Sequence, residues 1–193
     1  MKASLFPVVE VRLFLLQNGV FMKSKKDIKK LTLSGMFLAL ALVMPFLTGQ
    51  IPQIGSMLCP MHFPVILCGF FCGGPMGLLV GFIAPLFRSM LFGMPPMFPV
   101  AICMAFELAV YGLVAGVLYR LLPKKKASVY ASLVCAMILG RIVWGIAMRV
   151  CVGANFGAAA FVAGAVTTAL PGILLQLVLL PVIVIAMEKF IDR

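Results

Sequence analysis

The sequence predicts an all-α integral membrane protein with six transmembrane helices and both termini in the cytoplasm. Three observations carry this. Hydrophobic residues make up 64% of the 193 and the mean hydropathy is +1.19, whereas a soluble domain is about half apolar. The apolar segments contain proline and glycine without period-2 alternation, which argues for helices against a β-barrel. The lysine runs Lys23 to Lys30 and Lys124 to Lys126 flank apolar stretches, where they mark the cytoplasmic side of a membrane.

A spanning helix needs about 20 apolar residues, so the length admits about six with short loops and no separate soluble domain. The first is expected from Leu31 to Thr48, followed by the loop GQIPQIGSMLCP. The second, Met61 to Cys72, is short and ends at Gly73-Gly74-Pro75, since glycine and proline end helices. The third runs from Met76 to Phe92, then GMPPMFP makes a rigid turn. A re-entrant hairpin is the rival arrangement for the second and third. The fourth spans Val100 to Leu122, the fifth Ala127 to Val152, and the loop GANFGAAAF leads to the sixth, Gly164 to Phe190. Pro171 and Pro181 are expected to kink that last helix.

Residues 1–21 fit this scheme poorly. Glu10 and Arg12 interrupt their apolar stretch, and no small-residue cleavage site follows. Met22 opens MKSKKDIKKLTLSGMFLALALV, which reads as a natural start. The chain therefore divides into a doubtful extension, 1–21, and a membrane domain, 22–193. A short amphipathic interfacial segment is the alternative for the extension.

With six helices, Lys23 to Lys30, the Arg120 and Lys124 to Lys126 group, and Lys189 with Arg193 all fall on one side. The net charge of +11 is thus explained by topology, with no aromatic-interleaved basic face for nucleic acid. The six cysteines form no CxxC pair and read as small packing residues, not as metal ligands.

The outward side gathers the polar groups. Gln50, Gln53, Ser56 and His62 come from the first loop and the start of the second helix. Arg88 comes from the third, Arg149 and Asn155 from the end of the fifth, and Thr167 and Thr168 from the sixth. Deeper, at about 1.5 Å per residue, Glu107 and Arg141 share a level and can pair. Charges inside a bundle pair or line a wet cavity and are functional candidates. Glu107 and Tyr111 share one face of the fourth helix, and Arg141, Trp144 and Arg149 one face of the fifth. Plain alternatives stand beside these readings: a structural Glu107–Arg141 pair, Arg88 and Arg149 snorkelling to head groups, His62 as a loop residue, and Trp144 and Tyr111 as packing aromatics. Together the residues form a polar cup above an apolar bundle, a capture site for a small solute. In the first helix, Gly35 and Ala39 have the small-xxx-small spacing that lets a neighbouring helix approach closely, either within the chain or on a partner.

No Walker A loop, GxSxG or HExxH is present. No cofactor is expected, and the chain has little material for acid–base or metal chemistry. A transporter of this composition borrows its energy source.

The segments LTLSGMFLALALVMPFL, PQIGSMLCPMHFPVILCGFFCGGPMGLLVGFIAPLFRSMLFGMPPMFPVAICMAFELAVYGLVAGVLY and PGILLQLVLLPVIVIAMEK resemble the substrate-binding S components of energy-coupling factor (ECF) transporters. The resemblance covers roughly Met22 to Arg193. SMLCPMHFPV and APLFRSMLFGMPPMFPVA look most like the pantothenate-type branch. The resemblance implies a plasma-membrane subunit that binds a water-soluble vitamin from outside. It also implies docking on a shared transmembrane subunit and two cytoplasmic ATPases, which use the ATP. Gly35 and Ala39 match the family's docking position, with glycine at 35 where many members have alanine. An anionic vitamin would suit Arg88 and Arg149, because arginine grips a carboxylate in a fork. The competing classes are a proton-coupled secondary carrier using Glu107 and a small lipid-modifying membrane enzyme. The scarcity of catalytic residues argues against the latter.

Overall fold

The computed structural model describes residues 25–48, 51, 57–123, 125–153 and 156–191. The extension 1–21 and the candidates Gln53 and Asn155, with Gln50 and Ser56, lie outside them. The described residues form helices and no strand: α1 (Lys25–Val43), α2 (His62–Cys72), α3 (Gly74–Phe92), α4 (Ile102–Leu121), α5 (Lys126–Val152), the short α6 (Ala158–Val162) and α7 (Leu170–Ile191). A 3-10 turn, Met44–Thr48, extends α1, and wide turns at Met97–Ala101 and Ala163–Thr167 precede α4 and α7.

Among the described residues, five segments are long and apolar enough to cross a membrane: Asp27–Leu47, Gly74–Phe92, Met97–Leu121, Lys126–Val152 and Leu170–Met187. They correspond to five of the six expected spans; the remaining one is the short α2. α2 has 11 residues, about 16 Å at 1.5 Å per residue, roughly half of a bilayer core. It therefore covers only part of the length of the longer helices, and its first residue, His62, is level with Glu107 of α4. The sixth segment also differs. Ala158–Val162 is already helical, and Pro171 is the second residue of α7. A proline in a first turn forfeits no hydrogen bond, so it starts the helix instead of kinking it. Pro181 does lie inside.

The helices alternate in direction. Gly77 lies against Gly112, and Gly81 against Leu108, so α3 and α4 are antiparallel. His62 meets Glu107 and Gly69 meets Gly112, so α2 runs parallel to α4. α1 donates no backbone to this seam; it touches α2 where Cys68 Sγ donates to Ser34 Oγ at 3.7 Å. The starts of α1 and α5 and the ends of α4 and α7 therefore share one end of the bundle. The α2–α3 hairpin is at that end too, since Arg120 Nη2 donates to the Cys72 carbonyl at 3.1 Å.

Glycine sets the spacing of the centre. A Cβ on Gly69, Gly77, Gly81, Gly112 or Gly116 would collide with backbone atoms of the facing helix. α2, α3 and α4 thus pack backbone to backbone, the geometry small residues permit in lipid. Around this seam, Phe63, Ile66 and Phe70 of α2 and Leu180 and Val184 of α7 share a core with Tyr111, Leu133 and Met137. A second core joins Phe37 and Ala41 of α1 to Val65, Val80 and Leu108.

Candidate functional site

The close α2–α4 approach brings three charge-bearing side chains together inside the bundle. Arg141 Nη1 of α5 lies 3.0 Å from Glu107 Oε1 of α4. His62 Nε2, on the first residue of α2, lies 3.5 Å from the same oxygen. The pairing of Glu107 with Arg141 expected from depth is present, and His62 joins it. His62 and Glu107 are 2% and 1% exposed. The Tyr111 ring lies 5.1 Å from that of His62, centroid to centroid. Gly140 leaves room for this ring, because a Cβ there would enter it.

The segment before α2 completes the cluster. Cys59 has φ 47°, in the left-handed region that favours glycine. Its carbonyl accepts from His62 N at 3.1 Å and its Sγ from Arg141 Nη2 at 3.7 Å. A strained residue held at a buried ionic cluster fits the tendency of strain to collect at functional sites. Burial pushes the Cys59 thiol above its ordinary pKa, with Glu107 adding to the rise and Arg141 opposing it.

The cluster is under-bonded. Among the described residues, His62 Nδ1 and Nε2, Glu107 Oε1 and Arg141 Nε are buried without an aligned hydrogen-bond partner. The 3.0 Å approach of Arg141 to Glu107 is therefore an ion pair rather than a well-aligned hydrogen bond. Native structures satisfy nearly all buried polar atoms, and orphaned ones together mark a place for a further polar group.

Arg141 also reaches a cavity. A space of about 340 Å³ lies between α5, α6 and α7, lined by Val134, Met137, Ile138, Arg141, Ile142, Phe161, Ile173 and Leu177. Arg141 is the one charged side chain in that lining. The wall of this space is apolar, and Arg141 borders it with the stem of its side chain; apolar spaces beside a few polar groups are where small molecules bind.

The other candidates lie elsewhere. Arg88 is buried, but its guanidinium donates to the Leu42 carbonyl and rests over the rings of Phe46 and Phe92, 5.0 and 5.3 Å from their centroids. It ties the end of α3 to the end of α1. Arg149 is exposed and donates from Nη1 to the Gly153 and Phe156 carbonyls at 2.9 and 3.0 Å, closing the C-terminus of α5. Thr168 donates to the Ala163 carbonyl at 2.9 Å, and Thr167 is spent on the same turn. Trp144 packs against Phe156 and Phe161 and covers Gly164, so it holds α6 to α5 beside the cavity. Gly35 and Ala39 are exposed, and nothing lies within 4 Å of a Cβ built on Gly35. Their face of α1 is not used in packing within the described chain.

Two contributors escaped the sequence reading: Cys59 and Phe161 carry no signal without the fold.

Comparison with known proteins gives one result. No curated protein and no solved structure matches the chain. The family model "ECF transporter, substrate-specific component" matches residues 29–184, from α1 through most of α7. This chain therefore belongs to the family of ECF transporter substrate-specific components, and it is a membrane transport subunit and not an enzyme.

Proposed function

We propose that this subunit captures a small water-soluble vitamin from the outer side of the plasma membrane, with pantothenate the favoured ligand. Import is driven by ATP hydrolysed on partner subunits. The observation that carries this reading is Arg141, a partly buried arginine whose unpartnered Nε is itself buried and whose side chain borders an apolar cavity. Arginine offers a carboxylate two parallel hydrogen bonds, and the walls from α5, Phe161 and α7 would receive the ligand's apolar body. Arg141 takes the anchoring role that sequence reasoning gave to Arg88 and Arg149, whose donors are turned to backbone carbonyls. Pantothenate, with one carboxylate, hydroxyls and an amide, is favoured by the sequence resemblance.

Both termini are cytoplasmic in this reading, because the basic ends of α1, α4 and α5 share one end of the bundle. The shared transmembrane subunit docks on the open Gly35–Ala39 face of α1, and two ATPases act from the cytoplasm.

Isothermal calorimetry of the purified chain with pantothenate tests the ligand. Submillimolar or tighter binding that weakens at least tenfold in Arg141→Lys is expected, since lysine keeps the charge but loses the fork. Binding indifferent to that substitution would remove Arg141 from the site.

A further inference from the structure

The site carries a charge problem that its own residues can resolve. With Arg141 positive and Glu107 negative, the empty cluster is neutral. An arriving carboxylate would leave it with a net negative charge among groups 1% and 2% exposed, and an uncompensated buried charge is strongly unfavourable. Glu107 Oε1 already occupies Arg141 Nη1 at 3.0 Å. His62 Nε2 waits 3.5 Å from that same oxygen, and neither of its ring nitrogens has an aligned partner among the described residues.

We propose that a carboxylate ligand binds at Arg141 together with one proton, which lodges on His62, and that Glu107 passes from Arg141 to His62 as the ligand takes its place. This rests on the reading that the ligand is a carboxylate. The charges balance. Before binding, Arg141 offsets Glu107; afterwards Arg141 offsets the ligand and protonated His62 offsets Glu107. The proton comes from solvent. Among the described residues, no other nearby group supplies the missing positive charge. α4 itself contributes Tyr111 and Cys103, α5 contributes Arg141 and Cys151, and Cys59 precedes α2; the tyrosine and the cysteines can only lose protons. Arg88 of α3 is directed at Leu42. The half of α7 near the cavity, LPGILLQLVLLP, and the corresponding half of α1 carry no titratable side chain. Glu107 acts here as a resident stand-in for the ligand's carboxylate, keeping Arg141 compensated while the site is empty.

The test is calorimetry of the full chain in detergent with pantothenate, nicotinate and biotin as carboxylate probes, each in buffers of differing ionisation enthalpy. For the probe that binds, the measured heat is expected to vary with buffer so as to report about one proton taken up per ligand. Its Kd then rises about tenfold per pH unit where uptake is complete. His62→Gln leaves the Glu107–Arg141 pair in place, so it keeps the fold; it is expected to bind more weakly, with no proton uptake and a flat pH profile. A histidine with only a structural role would not move the proton count. Binding without proton exchange, or uptake unchanged in His62→Gln, overturns the proposal. Failure of all three carboxylates to bind overturns the ligand class and the proposal with it.

Discussion

Arg88, buried, and Arg141, partly buried, show how two arginines within apolar helices of one chain come to do different work. Each is an expensive charge within an apolar helix, and from sequence alone they are equivalent. The structure separates them by what each donates to. Arg88 is spent on the Leu42 carbonyl and two aromatic faces; Arg141 keeps donors in reserve beside a cavity. Arg88→Met is therefore expected to lower the thermal unfolding midpoint. The cost is about 1.5–3 kcal/mol for a hydrogen bond to a charged group, and the ligand Kd should stay within about twofold. Arg141→Lys is expected to behave oppositely, with a small change in midpoint and at least about tenfold weaker binding, or about 1.4 kcal/mol. Differential scanning fluorimetry and calorimetry on the same preparations distinguish the two. Arg149, Thr167 and Thr168 were legible as outward polar groups, but not as groups consumed by local carbonyls. That outcome depends on where α5 ends and how the turn before α7 winds.

At the scale of elements, the glycines of α2, α3 and α4 decide what can meet. Gly77 and Gly81, and Gly112 and Gly116, each have the spacing recognised in sequence only at Gly35 and Ala39. The first pair sets α3 against α4, and Gly112 and Gly116 also meet Gly69, which brings α2 near enough to α4 for His62 to face Glu107. The Glu107–Arg141 level was legible because helical rise is constant. The place of His62 was not, because it depends on α2 starting level with Glu107, partway along α4. Gly112→Ala sets a Cβ against the Gly77 backbone, and overpacking of this kind costs about 1–3 kcal/mol. Gly35→Ala has open space around it, so it is expected to be neutral or stabilising by up to about 1 kcal/mol. Thermal unfolding of the two variants in the same detergent checks the contrast; equal destabilisation would mean the seam is not glycine-limited.

At the scale of the whole molecule, the segments of the fold were largely readable because hydropathy and lysine placement both act over whole segments. The count of full spans was not, since an 11-residue helix shielded by its neighbours carries as apolar a signal as a spanning one. The partner surface follows from what the fold leaves uncovered. Gly35 and Ala39 lie exposed on α1, clear of both cores. Ala39→Trp is expected to abolish uptake in cells co-producing the energising subunits while leaving the ligand Kd unchanged. Uptake at the normal rate would move the docking face elsewhere. Arg141, partly buried beside an apolar cavity, is the proposed ligand anchor of this transport subunit. The most direct measurement is calorimetric titration of the purified protein with water-soluble vitamins, pantothenate first, beside Arg141→Lys. One tight carboxylate ligand is expected, its affinity falling at least about tenfold in the variant, about 1.4 kcal/mol. A tight ligand equally well bound by both proteins, or no carboxylate bound by either, would contradict it.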